Sequence, residues 1–305
     1  MPNILITGGS GLIGDHLTTL LQQKGYNVAH LSRKKKISNI EVYQWNPETG
    51  FIEDTAIAQA DFIIHLAGAN VGERRWTKRY KEEILQSRIR STELLYTSLQ
   101  RVPNKVKAVI AASAIGYYGN RGDDLLQEEA NPAHDFLGTT CVQWEKAVTG
   151  INDLVKRVVI LRTGIVLAKD GGALPRFVQP IRFGIAPVFG DGKQYYPWIH
   201  ITDLCHMYLH AVTNVSMTGI YNAVSPSPVR YIELLNTLAK TLNKKKINIP
   251  VPSILLLVTL GDFAQSLTMS TRCSADSILS SGFVFQFPVL EAALQDLIGR
   301  STHRE

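Results

Sequence analysis

Short apolar runs alternate with helically spaced apolar residues at the start of the chain. Ile4–Thr7 is an apolar run typical of a buried strand, and residues 28–31 form another. Between them, apolar residues recur at helical spacing until Gly25 ends the pattern. The stretch therefore predicts a strand, a helix and a second strand, which is a βαβ unit. The helix positions are Leu12, Ile13, Leu17, Leu20 and Leu21.

The same alternation continues along the first half of the chain. Strands that alternate with helices predict a parallel sheet covered by helices on both faces. The predicted fold class is therefore α/β, a Rossmann-type doubly wound sheet, which binds ligands at the carboxyl ends of its strands. The further strand-like runs are 60–66, 106–112 and 158–162, and the helical patterns are 77–100 and 137–150.

The pattern loosens after about residue 164, where glycine, proline and aromatic residues become frequent. A helix is predicted over 231–242, and 250–300 is predicted to be mostly helical, with a strand-like stretch at 282–287. We therefore predict a large domain followed by a small, mostly helical C-terminal subdomain that carries the substrate side. The predicted divisions are a Rossmann domain over 1–225, with substrate-side insertions over about 165–200, and the C-terminal domain over 226–305.

Three glycines lie between the first predicted strand and the first helix, in the stretch GGSGLIG. Gly8 allows a tight turn, Gly11 allows backbone N–H groups to approach a pyrophosphate, and Gly14 allows the helix to pack closely on the strand. The phosphates then lie at a helix N-terminus, which favours anions. This context, between a strand and a helix, predicts a dinucleotide site.

The end of the second strand indicates which dinucleotide binds. An NAD site has Asp or Glu there to bind the ribose 2′-hydroxyl, whereas this chain has Ser32 and Arg33, followed by Lys34 to Lys36. A guanidinium forms bidentate pairs with phosphate. The predicted cofactor is therefore NADP(H), with exposed basic loop residues as the alternative interpretation.

Composition limits the classes of protein to which the chain can belong. The chain of 305 residues is 45% apolar with a net charge of +6, and its three cysteines are widely spaced, which predicts neither disulfides nor a metal site. The first strand begins without a signal peptide, and the longest apolar run, 254–260, is too short to span a bilayer. We therefore expect a cytoplasmic protein with no membrane or nucleic-acid partner. Solvated loop positions are the ordinary interpretation of the lysine triplets at 34–36 and 244–246, although the first triplet lies where the 2′-phosphate is expected.

Motifs along nearly the whole chain resemble one family. The chain is similar to extended short-chain dehydrogenases/reductases, and most closely to the atypical YfcH-like, SDR39U1-like family described as NAD(P)-dependent or sugar-nucleotide epimerases. This resemblance implies a Rossmann domain that binds NADP(H) and a small C-terminal domain. The matching stretches are GGSGLIG (8–14), LSR (31–33), HLAGANV (65–71), RRWT (74–77), SR (87–88), SAIGYYG (113–119), DFLGTTCVQWE (135–145), LRTGIVLAKDGGAL (161–174), PWIHITDL (197–204), and the tail from GDFAQ (261–265) to FPVLEAAL (287–294).

The resemblance also implies cofactor contacts, carried onto matching positions. The pyrophosphate would be contacted by Gly8, Gly11, Leu12, Ile13 and Gly14, and the 2′-phosphate would be held by Ser32 and Arg33. The ribose side would be lined by Leu66, Ala67 and Gly68. The cofactor would also be reached from the long helix by Arg88 and by Glu83, for which a solvated helix position is an equal interpretation.

The catalytic positions depart from the superfamily's pattern. Its working members use Tyr-x-x-x-Lys on the helix after the Ser-bearing strand, whereas this chain has Cys141 and Glu145 there, as its own family does. A carboxylate raises the pKa of a neighbouring acid, so this pair cannot replace a tyrosine activated by lysine. The superfamily's Ser position falls on Ala114, one residue after Ser113. We therefore interpret this helix face as a remnant of the usual site, with reuse of Glu145 as a hydrogen-bond acceptor for a ribose or substrate hydroxyl as the alternative interpretation.

Other groups are candidates for proton transfer. Ser113, Tyr118 and His200 are the predicted catalytic residues, with Tyr117 and Asp203 near them in sequence. Histidine titrates near neutral pH and suits proton transfer, although a structural hydrogen bond is the more common role of a lone His beside aromatic residues. Two functions fit these observations. One is an NADP-dependent epimerase or oxidoreductase acting on a small polar substrate, a sugar nucleotide among the candidates; the other is a non-catalytic NADP(H)-binding sensor or assembly factor. A homodimer is compatible by analogy with the superfamily.

Overall fold

A parallel sheet of seven strands, extended by a short antiparallel strand at one edge, organises most of the chain. The computed structural model describes residues 1–34 and 39–299. Among these the sheet order is β13-β8-β6-β5-β1-β2-β3-β4, with only β3 and β4 antiparallel. The strands are β1 (Asn3–Thr7), β2 (Asn27–Ser32), β3 (Glu41–Asn46), β4 (Phe51–Ile52), β5 (Phe62–His65), β6 (Ala108–Ala114), β7 (Leu125–Leu126), β8 (Val158–Thr163), β9 (Ile165–Leu167), β10 (Ile185–Phe189), β11 (Tyr195–Tyr196), β12 (Trp198–His200), β13 (Gly219–Ala223), β14 (Val229–Arg230), β15 (Ile247–Val251) and β16 (Arg272–Cys273).

Helices cover both faces of this sheet, as the α/β pattern predicts. Side chains alternate along a strand, so Ile4 and Ile6 of β1 pack in one apolar cluster and Leu5 packs in another. Helices α1 and α6 contribute to the first cluster, and α2, α3 and α4 contribute to the second. The helices are α1 (Leu12–Gln23), α2 (Asp54–Gln59), α3 (Lys78–Arg101), α4 (Phe136–Thr149), α5 (Leu174–Arg182), α6 (Ile201–Thr213), α7 (Tyr231–Thr241), α8 (Ser253–Leu260), α9 (Phe263–Ser266), α10 (Asp276–Ser280) and α11 (Leu290–Ile298).

Two helices that border the predicted site begin at defined caps. The side chain of Thr77 accepts a hydrogen bond from Tyr80 N at the start of α3, and Asp135 accepts one from Gly138 N at the start of α4. Each cap satisfies an N–H group that has no partner within the helix. The predicted helices over 77–100 and 137–150 are thereby confirmed within one or two residues.

The C-terminal part shares its core with the sheet. Leu234 and Leu238 of α7 and Leu290 and Leu294 of α11 belong to the same apolar cluster as Ile4 of β1. This part also contains β15, which pairs in parallel with β10. The division of the chain near residue 225 remains a prediction.

The strand predicted over 282–287 is wrong. No strand forms at these described residues; instead the N–H groups of Gln286 and Phe287 donate to the carboxylate of Asp203, at 2.7 and 3.0 Å. The carboxylate of Asp203 on α6 therefore accepts the backbone hydrogen bonds that a neighbouring strand would accept in a sheet. The alternating aromatic residues are explained by packing, since Phe283 is buried and Phe287 stacks on His200.

Candidate functional site

The turn between β1 and α1 has the backbone geometry that its glycines predict. Gly8 has a positive φ of 72°, and a Cβ on Gly14 would lie 2.5 Å from the carbonyl oxygen of Gly8. Helix α1 then begins at Leu12, and no described side chain caps its N-terminus. This close, uncapped turn has the shape and the free N–H groups that a pyrophosphate needs.

A buried threonine and histidine fix the neighbouring loop. Thr7 Oγ1 accepts hydrogen bonds from the N–H groups of Leu66 and Ala67, each at 3.1 Å, and lies 2.7 Å from Nδ1 of His65. The Thr7 hydroxyl therefore donates its own proton to Nδ1 of His65, and Nε2 of His65 lies 3.1 Å from Thr92 Oγ1. Burial, with Arg88 nearby, lowers the pKa of His65 to about 3, so the ring is neutral. These contacts place the 66–68 loop beside the glycine turn.

Arg88 lies against this loop from α3. Its guanidinium donates to the carbonyl oxygens of Ala69 and Ile84, at 3.1 and 2.8 Å, and lies 4.9 Å from the ring centroid of Trp144. A Cβ on Gly68 would lie 3.1 Å from the guanidinium carbon. Burial lowers the pKa of Arg88 below its usual value. Arg88 is therefore positioned at the predicted ribose side, whereas Glu83 is exposed one turn earlier.

The end of β2 carries the residues predicted to read the 2′-phosphate. Ser32 is half-buried and accepts a hydrogen bond from Lys34 N at 3.3 Å, while Arg33 is exposed. Lys35 and Lys36, the rest of that basic stretch, lie outside the described residues. The edge of the sheet therefore presents a hydroxyl and a guanidinium where an NAD site presents a carboxylate.

Glu145 belongs to a buried ion pair with Arg162. Glu145 Oε1 accepts from Arg162 Nε at 2.9 Å, and Oε2 accepts from a terminal guanidinium nitrogen at 2.8 Å. The Ser113 hydroxyl also donates to Oε1, at 2.6 Å. The two charged side chains are 8% and 2% exposed. Glu145 is thus the counter-ion of an arginine from β8, at the position that the resemblance aligns with the superfamily's lysine.

The same arginine extends the network to Tyr118. Another guanidinium nitrogen of Arg162 donates to the Tyr118 hydroxyl at 2.9 Å, which in turn donates to Asn222 Oδ1 at 2.7 Å. Tyr118 is fully buried, and burial raises its pKa above the usual value despite the cation beside it. Ser113 and Tyr118 are therefore joined through Glu145 and Arg162, in a network that links β6, α4, β8 and β13.

Cys141 contributes no activated thiol. Its Sγ lies 3.6 Å from the Ala114 carbonyl oxygen, and the side chain is buried. Burial, followed by the charge of Glu145, raises the pKa of the thiol to about 12. At neutral pH Cys141 is a thiol, not a thiolate, and a thiol is a poor nucleophile and base.

Tyr117 lies at the edge of this network. Its ring covers the Arg162 guanidinium, with 3.5 Å between the ring centroid and the guanidinium carbon, and the residue is half-buried. It follows β6 in a short 3-10 turn over Ile115–Tyr117. Tyr117 is therefore more accessible than Tyr118, whose hydroxyl is already committed to two partners.

His200 and Asp203 lie in a different network. His200 Nδ1 accepts from Thr202 N at the start of α6, its ring stacks on Phe287 with 3.9 Å between centroids, and Nε2 lies 3.4 Å from Asp296. Burial lowers the pKa of His200 to about 4. These contacts hold α6 against the C-terminal segment, and they do not bring His200 to Ser113 or Tyr118.

The sequence carries one signal of this network. Arg162 lies in the buried strand VVILRT, and a charged residue there requires an ionic partner. The pairing with Glu145 and the roles of Thr7, His65 and Asn222 do not follow from the sequence, because they depend on contacts between distant segments.

Comparisons with known proteins agree with this geometry. The profile of the NAD dependent epimerase/dehydratase family matches residues 4–223, and a domain of unknown function, DUF1731, matches residues 251–297. The epimerase family protein YfhF of Bacillus subtilis is 34% identical over 300 residues, which cover 97% of this chain and 98% of that protein. The epimerase family protein ML0860 of Mycobacterium leprae is 32% identical over 95% of this chain and 94% of that protein.

Solved structures show the same likeness. The structure of human epimerase family protein SDR39U1 with NADPH has a TM-score of 0.88 at 30% identity, over 97% of this chain and 98% of that chain. A nucleoside-diphosphate sugar epimerase from Corynebacterium glutamicum has a TM-score of 0.79 at 30% identity, over 98% of this chain and 59% of that chain. MoeE5 with UDP-glucuronic acid and NAD, at 20% identity and a TM-score of 0.77, shares the fold. The Rossmann fold, the glycine turn and these matches show that the chain belongs to the NAD dependent epimerase/dehydratase family.

Proposed function

We propose that this protein binds NADP(H) at the carboxyl edge of its sheet as a ligand, without the proton relay of an epimerase. The observation that carries the proposal is the buried ion pair of Glu145 and Arg162, in which Glu145 also accepts a hydrogen bond from the Ser113 hydroxyl. The residues at the usual relay positions serve the fold, while the dinucleotide turn keeps its geometry. This function is that of a sensor or an assembly factor whose state depends on bound NADP(H).

The choice of NADP(H) rests on the end of β2. Arg33 is exposed there, and Ser32 carries a hydroxyl beside it. A guanidinium and a hydroxyl bind a 2′-phosphate, whereas a carboxylate would repel it. Human SDR39U1, which is similar over nearly the whole chain, has a solved structure with NADPH.

The chemistry of epimerisation explains why the relay matters. When a sugar carbon loses a hydride, its hydroxyl must lose a proton to a base, and both return when the carbon is reduced from its other face. The cofactor, when bound, supplies and accepts the hydride. The protein must supply the base, and Cys141, with a thiol pKa of about 12, is poorly suited to that role at neutral pH. Glu145 already accepts three hydrogen bonds from Arg162 and Ser113.

A second function is favoured by one observation, the accessibility of Tyr117. Its half-buried ring covers the guanidinium of Arg162 at the end of β6. A phenol in that position could replace the missing Tyr in an NADP-dependent oxidoreductase or epimerase that acts on a small polar substrate. A sugar nucleotide is the candidate, because the similar protein from Corynebacterium glutamicum is described as a nucleoside-diphosphate sugar epimerase.

A binding and turnover experiment separates the two functions. NADPH fluorescence is titrated with the purified protein, and then UDP-sugars and carbonyl compounds are added while NADPH oxidation and sugar epimerisation are followed. Our proposal predicts saturable binding with no turnover above a no-protein control. Turnover that is lost in Tyr117→Phe would overturn it in favour of the second function, and absence of NADPH binding would overturn both.

A further inference from the structure

The longest apolar run of the sequence lies on the surface. Helix α8 is attached through Leu256, which is 6% exposed, whereas Ile254, Leu255, Leu257 and Val258 are 47–72% exposed. A helix of a globular protein normally turns such residues towards the core. This helix therefore presents an aliphatic face without a described partner.

Exposed apolar side chains also occur on β15, the strand that precedes α8 in the chain. Every residue of β15 except Val251 is exposed, including Ile247 and Ile249. Ile247 pairs with Ile185 of β10, and Phe183 before that strand is 79% exposed. We call these side chains the apolar surface; they make up half of the exposed large hydrophobic residues found in the described part of the chain. Its members are Phe183, Ile185, Ile247, Ile249, Ile254, Leu255, Leu257 and Val258.

Basic residues border the apolar surface at both ends. Lys244, Lys245 and Lys246 come directly before β15, and Arg182 comes directly before Phe183. At the other end, Arg75 lies against Gly261, and Trp76 N donates to the Leu260 carbonyl at the end of α8. Arg182, Lys244 and Lys245 form no ion pair with any described residue.

The segment that carries β15 and α8 is also poor in acidic residues. Residues 234–261 include four lysines and no Asp or Glu, and Asp262, which follows this segment, is paired with Lys81. In a two-fold contact with a second copy, the lysine end of the surface would face a basic end of the other copy, and a nucleic acid would leave the aliphatic side chains without a partner. A bilayer with anionic headgroups satisfies both, since aliphatic groups enter the headgroup–acyl boundary and lysines contact the lipid charge.

We propose that the apolar surface docks on a membrane surface that contains anionic phospholipid. The binding is peripheral, since no described helix is long and apolar enough to cross a bilayer. The short length of the 254–260 run argues against a membrane-spanning segment but not against docking on a membrane surface. The proposal is independent of what happens at the dinucleotide site.

Vesicle co-sedimentation tests the proposal. The full-length protein is mixed with vesicles of phosphatidylcholine alone, or of phosphatidylcholine with phosphatidylglycerol, at low and high salt. We expect binding to the mixed vesicles that weakens at high salt. The variant Ile254→Gln/Val258→Gln should lose it, and Lys244→Glu and Lys245→Glu should each weaken it by about fivefold or more.

Matched controls keep the result interpretable. Val215→Gln and Val284→Gln remove aliphatic side chains that are 85% and 84% exposed elsewhere, and they should bind like the wild type. NADPH binding and the unfolding midpoint report whether each variant is folded. The proposal is overturned if the wild type does not bind mixed vesicles at low salt, if it binds both vesicles equally, or if the α8 variant binds as well as the controls. A concentration-dependent dimer that the α8 variant abolishes, without vesicle binding, would assign the surface to a second copy instead.

Discussion

Glu145 of α4 and Arg162 of β8 form a bidentate ion pair inside the protein, with nitrogen–oxygen distances of 2.9 and 2.8 Å. The resemblance aligns Glu145 with the lysine of the superfamily's Tyr-x-x-x-Lys pattern. Here the cation comes from a strand, and α4 supplies its counter-ion. The consequence is a fixed polar network between helix and sheet that joins Ser113, Glu145, Arg162 and Tyr118.

Ser113→Ala tests whether the serine belongs to that network. The hydroxyl donates to a charged acceptor at 2.6 Å in a buried place, so its loss should lower the free energy of unfolding by about 1.5–3 kcal/mol. Urea denaturation measures this. Ser98→Ala is the control, because the Ser98 hydroxyl is equally buried but donates to the neutral Leu94 carbonyl. A Ser113 variant no less stable than the control would show that the serine does not support Glu145.

Gly14→Ala tests the turn that faces the dinucleotide. The added Cβ would lie 2.5 Å from the Gly8 carbonyl oxygen, so α1 must shift, and NADPH binding should be lost with a stability loss of about 1–3 kcal/mol. Gly150→Ala is the control, because nothing lies within 4 Å of its added Cβ and its φ is −58°. Retention of full NADPH affinity in Gly14→Ala would contradict the assignment of the site.

Arg33→Ala tests the choice of cofactor. Removal of the guanidinium should weaken the binding of NADPH by tenfold or more, which corresponds to about 1.4 kcal/mol, and should leave the binding of NADH nearly unchanged. Fluorescence titration with both cofactors measures the ratio. Lys34→Ala removes the adjacent exposed charge and serves as the control. An equal loss for NADPH and NADH would show that Arg33 does not read the 2′-phosphate.

The buried imidazole of His65 predicts a dependence of stability on pH. Burial lowers its pKa to about 3, so below an unfolded pKa of about 6.5 the unfolded chain binds a proton that the folded protein does not. The free energy of unfolding is therefore unaffected above pH 6.5 and falls as the pH drops from there towards 3, by about 1.4 kcal/mol per unit. His200, with a pKa of about 4, acts in the same direction.

Urea unfolding at pH 7 and pH 5 checks this dependence. His65→Gln removes the titrating group, so the difference in stability between the two pH values should shrink by about 2 kcal/mol. The exposed His134→Gln is the control. An unchanged difference in the His65 variant would mean that the buried ring is protonated in the folded state.

The thiols provide a simple chemical test. Burial raises the pKa of Cys141 and of Cys205 to about 12, and all three cysteines are buried and free. Ellman's reagent at pH 8 should react with the native protein roughly 10³-fold more slowly than with the protein in urea, given an ordinary thiol pKa of about 8.5. Rapid labelling of Cys141 in the native protein would reopen its role as a nucleophile.

The sequence predicts the features that depend on local pattern. The βαβ unit, Gly8, Gly14 and the long helix α3 follow from spacing within a few residues, and all have the predicted backbone geometry. The prediction of a strand over 282–287 is wrong although its alternating aromatic residues favour one. A strand needs a neighbouring strand to accept its backbone N–H groups, and here Asp203 accepts them instead. Local pattern does not specify such distant partners.

The candidate site likewise has a part that the sequence predicts and a part that it does not. Its cofactor side follows from motifs, whereas the pairing of Glu145 with Arg162 joins positions on a helix and a strand, and the capping role of His200 depends on α6 and Phe287. A buried charge in the sequence shows that a partner must exist, but only the fold identifies which carboxylate it is.

A double-mutant cycle on Glu145 and Arg162 tests the central claim most directly. Urea unfolding is measured for Glu145→Leu, Arg162→Leu and the double variant. Each single variant leaves a buried charge without its partner and should lose about 3–5 kcal/mol, whereas the double variant removes both charges and should lose far less than the sum. A coupling energy of about 3 kcal/mol or more is the predicted result. Additive losses would contradict the account, because Glu145 would then not be the structural counter-ion of Arg162.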